Sequence, residues 1–404
     1  MTLRGLLSNP VPPGPCGAAA RLERAHRALA MVRSIAKHLQ RAGSDTSPIP
    51  IAKGLHVWSF TKECFLAPFA WLVVMSAVQA QPTTAVGAGD PKSATSRESI
   101  RLSEPGQPAL MLQVQRPASS AATALAAGDA IYVHGATFGA DLSIFYRFDG
   151  RSWADEINAA GLSVWGFDFA GYGRSDPCPQ GGDRPAGRMD DVIAQLRRVV
   201  AAVRARNGDR PVALVAHSWG ASVAARYAGM YPEDVKALAL FAPIVTRTPA
   251  PRPGPAAAQP SYYPLTLWAQ YRRFVEDVPR GQPQVLSEAH FQAWGAAYLA
   301  TDPRSGERVP PSVMTPYGPV ADIVALWSGQ SLYDPSLITA PTIVVHGEWD
   351  SLCTDADASR LLAGLGARDK AGVRIEHATH LMHLESQRAV LYNRVNTFLA
   401  RTMK

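Results

Sequence analysis

From residue 99 onward, short apolar runs alternate with longer stretches in which apolar residues recur every three or four positions. Short runs bounded by turn residues read as buried strands, and the periodic stretches as amphipathic helices. Two lead-in strands fall at 99–102 and 109–114, separated by Glu104-Pro105-Gly106, so they are expected to pair antiparallel. Five parallel strands follow at 130–133, 162–167, 212–215, 235–241 and 342–345, with a sixth at 373–376. Helical patterns lie between them at 153–160, 189–206, 221–230, 356–365 and 384–401. In the second, Val192, Leu196, Val199, Val200 and Val203 share one face. Such alternation predicts an α/β fold, a mostly parallel twisted sheet with helices on both faces. It breaks once. Residues 249–337 open with PAPRPGPAAAQPSYYP and hold no convincing strand. They are expected to form a helical cap inserted after the fourth parallel strand, over the carboxyl ends of the sheet where open α/β folds bind ligands. The core is then 99–248 plus 338–404.

Upstream the pattern changes. Residues 64–78 read CFLAPFAWLVVMSAV, an uncharged apolar run, with Val78 and Ala80 suited to cleavage after Ala80. At fifteen residues it is short for a bilayer span, which needs roughly 20. An export signal over 63–80 is the expectation, with a retained membrane anchor and a buried core helix as alternatives. Before it, Leu22, Ala25, Leu29, Val32, Ile35, Ala36 and Leu39 line one face of a helical pattern whose other face carries Arg21, Arg24, Arg27, Arg33 and Lys37. Either this is a surface-binding arm, or translation starts further downstream; we favour the second. Residues 81–98 are small and polar, as in a flexible leader.

Composition narrows the class. The 404 residues are 47% apolar and 18% charged, which excludes collagenous, coiled-coil and strongly disordered chains. The net charge of +7 suggests an anionic partner until it is located. Residues 1–62 hold nine basic and two acidic residues, the whole of the excess, and the rest is neutral. No nucleic-acid partner is therefore expected, and a membrane only through the N-terminal anchor. A small-molecule substrate fits the remaining unit.

The chemistry starts where the strand at 212–215 runs through Ala216-His217 into Ser218-Trp219-Gly220 and then a helix. This is G-x-S-x-G with Ala216 in the first glycine position, a nucleophile elbow. The serine must sit on a sharp turn with its hydroxyl exposed, and its neighbours two residues away must be small because backbones nearly touch there. A serine hydroxyl needs a base, and the base needs an orienting acid. The strand at 342–345 leads to Asp350, and the strand at 373–376 leads to His380, expected to open the last helix. Both lie at the rim that carries Ser218. Glu348 and Asp355 are alternative acids, the first close to its strand and the second already helical. His377, His380 and His383 recur every three residues, but no H-E-x-x-H pattern accompanies them, so no metal and no cofactor are expected. His383 and Glu385 are read as helix anchors and His377 as a loop histidine. For the oxyanion hole, Trp219 N–H and Ala136 N–H, in the loop His134-Gly135-Ala136-Thr137, are the expected donors. His134 is read as bracing that loop.

These motifs resemble the α/β-hydrolase superfamily over residues 99–404. The resemblance rests on His134-Gly135, on Asp168-Phe169-Ala170-Gly171-Tyr172-Gly173-Arg174-Ser175, on Ala216 to Gly220, on Gly347 to Asp350, and on His380. It implies a cap-bearing serine hydrolase with Ser218, Asp350 and His380 as catalytic residues, acting on carboxylic esters. Ala216 departs from the usual glycine, and the cap matches no particular subfamily. Serine at 218 separates the chain from relatives whose nucleophile is a carboxylate. The sheet order the resemblance implies puts the loops of Cys178 and Cys353 four strands apart, roughly 19 Å, too far for a disulfide.

The cap region holds 11 of the 33 aromatic residues within positions 261–333. Trp268, Tyr271, Trp294 and Trp327 are expected to wall a pocket for an apolar or aromatic group, although packing a small core is the competing reason for the enrichment. Arg272, Arg273, Glu276 and Asp277 read as a solvated helical face. If either carboxylate turned inward it could bind a substrate amine, as in proline-iminopeptidase-like hydrolases, which would favour amide cleavage. A silent hydrolase fold used only for binding is the remaining alternative. An exported, periplasmic or secreted protein is the expected localisation. N-terminal sequencing of the native protein is expected to read from Gln81; a mature chain starting before about residue 75 excludes cleavage.

Overall fold

The computed structural model describes residues 97–117, 128–179, 184–248 and 259–404. The proposed arm, export segment and most of the leader lie outside the described residues. Ten strands occur in chain order: β1 (Arg97–Leu102), β2 (Leu110–Gln115), β3 (Gly128–Val133), β4 (Leu162–Phe167), β5 (Val212–His217), β6 (Val235–Phe241), β7 (Tyr262–Thr266), β8 (Ser312–Pro316), β9 (Thr342–Gly347) and β10 (Lys370–Ile375). The helices are α1 (Trp153–Ala159), α2 (Met189–Arg204), α3 (Ser218–Met230), α4 (Leu267–Val275), α5 (Glu288–Leu299), α6 (Gly318–Trp327), α7 (Asp355–Gly364) and α8 (Arg388–Thr402). Among them no helix is long and apolar enough to cross a membrane.

Eight strands make one sheet in the order β1-β2-β4-β3-β5-β6-β9-β10. The β1/β2 and β2/β4 pairs are antiparallel and every other pair is parallel. Strand alternation divides the core into two layers. Ile131, Val133, Leu214 and Ala216 face α2, α3 and α7. Ala130, Tyr132, Ala213 and Val215 face α1 and α8. Because β5 is central, its carboxyl end lies at mid-sheet, and Ser218 follows directly.

Three expectations are corrected here. β1 begins at Arg97, inside the stretch read as leader. It is an edge strand whose polar residues face water, so apolar patterning could not reveal its start; Arg97 pairs with Asp141 at 2.7 Å. The β6–β9 insertion is not purely helical: β7 and β8 form a separate antiparallel pair. Pro264 inside β7 and Pro316 ending β8 hide them, since proline demotes a strand reading, yet a two-stranded ribbon is all edge and accommodates both. The last helix starts at Arg388 and not at 384, so His380 sits on a loop ahead of a short 3-10 turn, Met382–Leu384. The apolar Leu381, Met382 and Leu384 continue a helical period that the backbone does not follow.

Cys178 and Cys353 are both free and buried, and the loops that carry them follow β4 and β9, four places apart in the sheet. The insertion meets the core through an aromatic seam. Phe138, Leu142, Leu381 and Leu384 come from core loops, and Phe274, Phe291, Trp294 and Tyr298 from α4 and α5. Trp294 is fully buried, stacks on Tyr298 with centroids 5.4 Å apart, and donates its ring N–H to the Leu142 carbonyl at 3.1 Å. Replacing Trp294 by Ala is expected to lower stability by about 3–5 kcal/mol, and by Phe about 1–3 kcal/mol, since the Leu142 carbonyl then loses its partner. Urea midpoints of the two variants check the order.

Candidate active site

Ser218 opens α3 with φ of +56°, a left-handed conformation that a residue with a side chain rarely adopts. The strand–helix turn forces it, and the surroundings hold it. A Cβ on Gly220 would collide with the His134 and Val133 carbonyls, so only glycine lets α3 approach β3 this closely. The Ile244 N–H reaches the Ser218 carbonyl at 3.3 Å.

The structure brings Ser218, His380 and Asp350 together. His380 Nε2 lies 2.8 Å from Ser218 Oγ. Its Nδ1 lies 3.0 and 3.1 Å from the two Asp350 oxygens. A carboxylate only accepts, so Nδ1 carries the proton and Nε2 is free to take the serine's. Asp350 Oδ1 also accepts from Leu352 N at 2.8 Å and Cys353 N at 2.9 Å. Burial acts to raise the Asp350 pKa, but the His380 charge, its ring hydrogen bond and the Cys353 amide outweigh it and hold the carboxyl below its ordinary value. The alternative acids face elsewhere. Glu348 accepts from His377 N at 2.9 Å and pairs with Arg374 at 3.0 Å, while Asp355 meets His346 at 2.8 Å.

The loop after β3 carries the expected oxyanion donor Ala136. His134 Nδ1 lies 2.7 Å from the Gly135 carbonyl, and its Nε2 accepts from Phe169 N at 3.0 Å. These two partners allow one tautomer, with the proton on Nδ1. The Gly135–Ala136 peptide is thereby gripped at its carbonyl, and its N–H, on Ala136, is turned the opposite way. Tyr172 donates to the Ala136 carbonyl at 2.7 Å, and buried Asp168 accepts from Ala140 N at 2.9 Å. Trp219, the second residue of α3, has an amide outside the helical ladder. Sequence reasoning quoted Tyr172 only as part of a motif; its hydroxyl partner is 36 residues away.

Three other buried histidines belong to this region: His217 and His383 beside His380, and His134 in the loop after β3. His217 donates from Nε2 to the His380 carbonyl at 3.0 Å and stacks on Phe241. Burial drives its pKa well below the ordinary value, with His383 and His380 adding to the effect. Burial likewise brings His134 down to about 4 and His383 to about 3. These three neighbours are thus held neutral by burial. His377 is exposed beside Trp349, away from the buried pair His380 and His383. His383 approaches Ser143 Oγ at 3.4 Å. Glu385, read as a helix anchor, instead binds the histidine loop: it accepts from Thr379 N at 2.9 Å and meets the Thr379 hydroxyl.

Of the four expected pocket aromatics, Trp294 belongs to the seam packing and Trp268 is 67% exposed, stacked on Tyr271. Composition cannot tell which way a ring faces. Tyr271 is half-buried and lines a cavity of about 140 Å³ with Phe274, Val275 and Phe291. Trp327 is half-buried beneath Arg247, whose guanidinium carbon lies 4.3 Å from the ring centroid. The charged face of α4 is not simply solvated. Glu276 pairs with Arg273 at 2.6 Å and Arg272 at 3.3 Å, and Asp277 pairs with Arg273 and accepts from Ser351 N at 3.3 Å. Both carboxylates are thus engaged within the protein. Arg247 forks onto Asp357 at 2.7 Å and donates to the Leu352 carbonyl at 2.8 Å, fastening the loop that holds Asp350.

A family model described as the alpha/beta hydrolase fold matches residues 131–387. A monoacylglycerol lipase of Mycolicibacterium smegmatis is 27% identical over 224 residues, 55% of this chain and 72% of that one. Among solved structures, a soluble variant of monoglyceride lipase from Saccharomyces cerevisiae matches with a TM-score of 0.54 at 15% identity, over 79% of this chain and 100% of the other. A serine hydrolase involved in carbazole degradation matches at 0.52 and 18%, over 76% and 100%. At such identities the two structures speak for the fold.

Glu385 yields a pH prediction. Burial raises its carboxyl to about 7, only partly offset by the Thr379 hydrogen bonds. A folded pKa above the unfolded one gives stability that is full below about pH 4.5 and is lost as pH rises through about 7. Thermal melts from pH 5 to 8 are expected to show Glu385→Gln, neutral throughout, losing less stability than wild type. Parallel slopes exclude Glu385 as the titrating group.

Proposed function

From the α/β-hydrolase family, to which this chain belongs, and from its standing as a carboxylic ester hydrolase, we propose that it cleaves esters of an apolar acyl group through an acyl-enzyme on Ser218, His380 and Asp350. The observation that supports the reading most is the 2.8 Å approach of His380 Nε2 to Ser218 Oγ on a backbone already turned left-handed.

In this mechanism Ser218 Oγ attacks the ester carbonyl carbon while His380 Nε2 takes its proton. Asp350 holds the imidazolium in place and offsets its charge in a site where burial makes an unpaired charge expensive. The carbonyl oxygen, now negative, accepts from the Ala136 and Trp219 amides; losing one such donor typically lowers the rate ~10²-fold or more. Collapse of the intermediate breaks the bond to the alcohol oxygen, which takes the proton from His380. Water, giving a proton to His380, then attacks the acyl carbon; the bond to Ser218 Oγ breaks, Oγ takes that proton from His380, and the acid is released. An ester asks less of the site than an amide because its alkoxide leaves more readily. The engaged state of Glu276 and Asp277 takes away the feature that would have favoured a substrate amine. The residues between β6 and β9 act as the cap, with Tyr271 and Trp327 as candidate walls for the apolar group. The name of the Mycolicibacterium relative, a monoacylglycerol lipase, supports a monoacylglycerol-type ester.

A panel of p-nitrophenyl esters of graded chain length, a monoacylglycerol and a proline anilide tests this. Wild type is expected to turn over the esters, longer chains best, and to leave the anilide. Ser218→Ala is expected to lose at least about 10⁴-fold in kcat, and Asp350→Asn about 10³–10⁴-fold. Anilide turnover without ester turnover reverses the substrate assignment, and equal activity in Ser218→Ala removes the nucleophile.

A further inference from the structure

The residue after Ser218 is tied to the insertion by its side chain. Trp219 is fully buried, and its indole N–H donates to Asp322 Oδ2 at 3.1 Å, across 103 positions of sequence. Asp322 lies on α6 and is itself 1% exposed. The same Oδ2 accepts from Met189 N, at the start of α2, at 2.7 Å, and Oδ1 accepts from Arg188 Nε at 2.5 Å. One carboxylate therefore gathers α6, the start of α2 and the nucleophile elbow. Its own position leaves little play. The first residue of α6, Gly318, donates to the Ala186 carbonyl at 2.7 Å, and a Cβ there would collide with Ala186 and Arg188 backbone. On the other side Phe169 meets the Trp219 ring edge-on at 5.6 Å.

We propose that Asp322 is a positioning residue for catalysis: by holding the Trp219 indole it sets the aim of the Trp219 backbone N–H at the oxyanion. The inference rests on the reading of Ser218 as nucleophile and the Trp219 amide as donor. A side chain fixed at its far end restricts the rotation of its own Cα, and Trp219 sits in the first turn of α3, where no ladder hydrogen bond restrains the amide. Preorganised donors act only when aimed at the developing charge. The nearest alternative is that Asp322 merely docks the insertion, in which case its loss lowers stability and leaves turnover per competent site alone.

Trp219→Phe separates the two, because it keeps an aromatic ring in the slot, removes the indole N–H together with the ring atoms that carry it, and leaves Asp322 with Arg188 and Met189. Sites are counted by titration with a covalent phosphonate, and kcat, KM and Tm are measured for Trp219→Phe, Asp322→Ala and the double variant. Misplacing a catalytic group by 1 Å can lower rates ~10²-fold, so a smaller re-aiming is expected to lower kcat per titrated site roughly tenfold in Trp219→Phe, with KM within about twofold. The double variant is expected to lose no more kcat than the worse single, since both remove one connection. Wild-type kcat in Trp219→Phe, a change in KM alone, or multiplicative losses in the double variant overturn the proposal. Should Asp322→Ala not fold, Trp219→Phe decides by itself. Ser218→Ala is run alongside: if it stays active, the reading of the site fails; if it is dead while Trp219→Phe is unaffected, only the positioning role fails.

Discussion

The left-handed backbone at Ser218 is the constraint from which the rest of the site follows. A residue with a side chain held at φ of +56° is disfavoured by of order 1–3 kcal/mol, so it persists only where neighbours over-determine it. β5 is hydrogen-bonded on both sides, by β3 and β6, which stops the strand from relaxing the turn. Gly220 then lets α3 lie against the β3 carbonyls. That close approach brings the loop after β3 to the serine: a Cβ on Gly135 would lie 2.9 Å from His217 Nδ1 and 3.3 Å from Ser218 Cβ. The two candidate oxyanion amides are consequences of one tight crossing, and a bulkier residue at either glycine would separate them.

Charge is distributed around this turn with equal strictness. A buried site can hold one ion pair if both members are hydrogen-bonded and nothing nearby competes. Asp350 receives two loop amides besides the imidazole. The three other histidines are held neutral by burial, and the tautomers of His134 and His217 are fixed by a carbonyl partner in each case. The permanent charges stand one step back. Arg247 with Asp357, and Arg273 with Asp277, bracket the loop of residues 350–353 by touching its backbone at Leu352 and Ser351. Both act on the acid through its own loop.

What could be read from the sequence was what is local. The strand–serine–helix run, the acid after one strand and the histidine after the next are each encoded within a dozen residues; the alternation of elements implied a mostly parallel sheet, and its strand order came only from the family resemblance. The supports are not local. Tyr172 reaches Ala136 across 36 positions, Trp219 reaches Asp322 across 103, and Arg247 reaches Asp357 across 110. No spacing rule links such pairs. The errors have physical causes of the same kind. Leu381, Met382 and Leu384 kept a helical rhythm because they pack into the seam and the core from a loop and a 3-10 turn. Trp268 and Trp294 share a composition signal, yet one faces water and the other is sealed between α5 and the core. The β7/β8 ribbon was masked by its prolines.

The insertion between β6 and β9 is fastened to the framework of the candidate site. Among its contacts with the core are the aromatic seam around Trp294, the Asp322 carboxylate, the Asp277 contact to Ser351 N, and the backbone bond from Arg247 N to the Leu326 carbonyl at 3.1 Å. Two of these end on the loop that carries Asp350 or beside it, one on the residue after Ser218, and one on Leu381, which follows His380. The insertion thus reaches, among other places, the chain neighbours of Ser218, Asp350 and His380. Because it does, a change in the insertion that alters which apolar group fits also strains the loops that hold the serine, histidine and aspartate. On the proposed reading of the site, the fit of a substrate and the alignment of Ser218, His380 and Asp350 are linked through chain neighbours, within one or two peptide units.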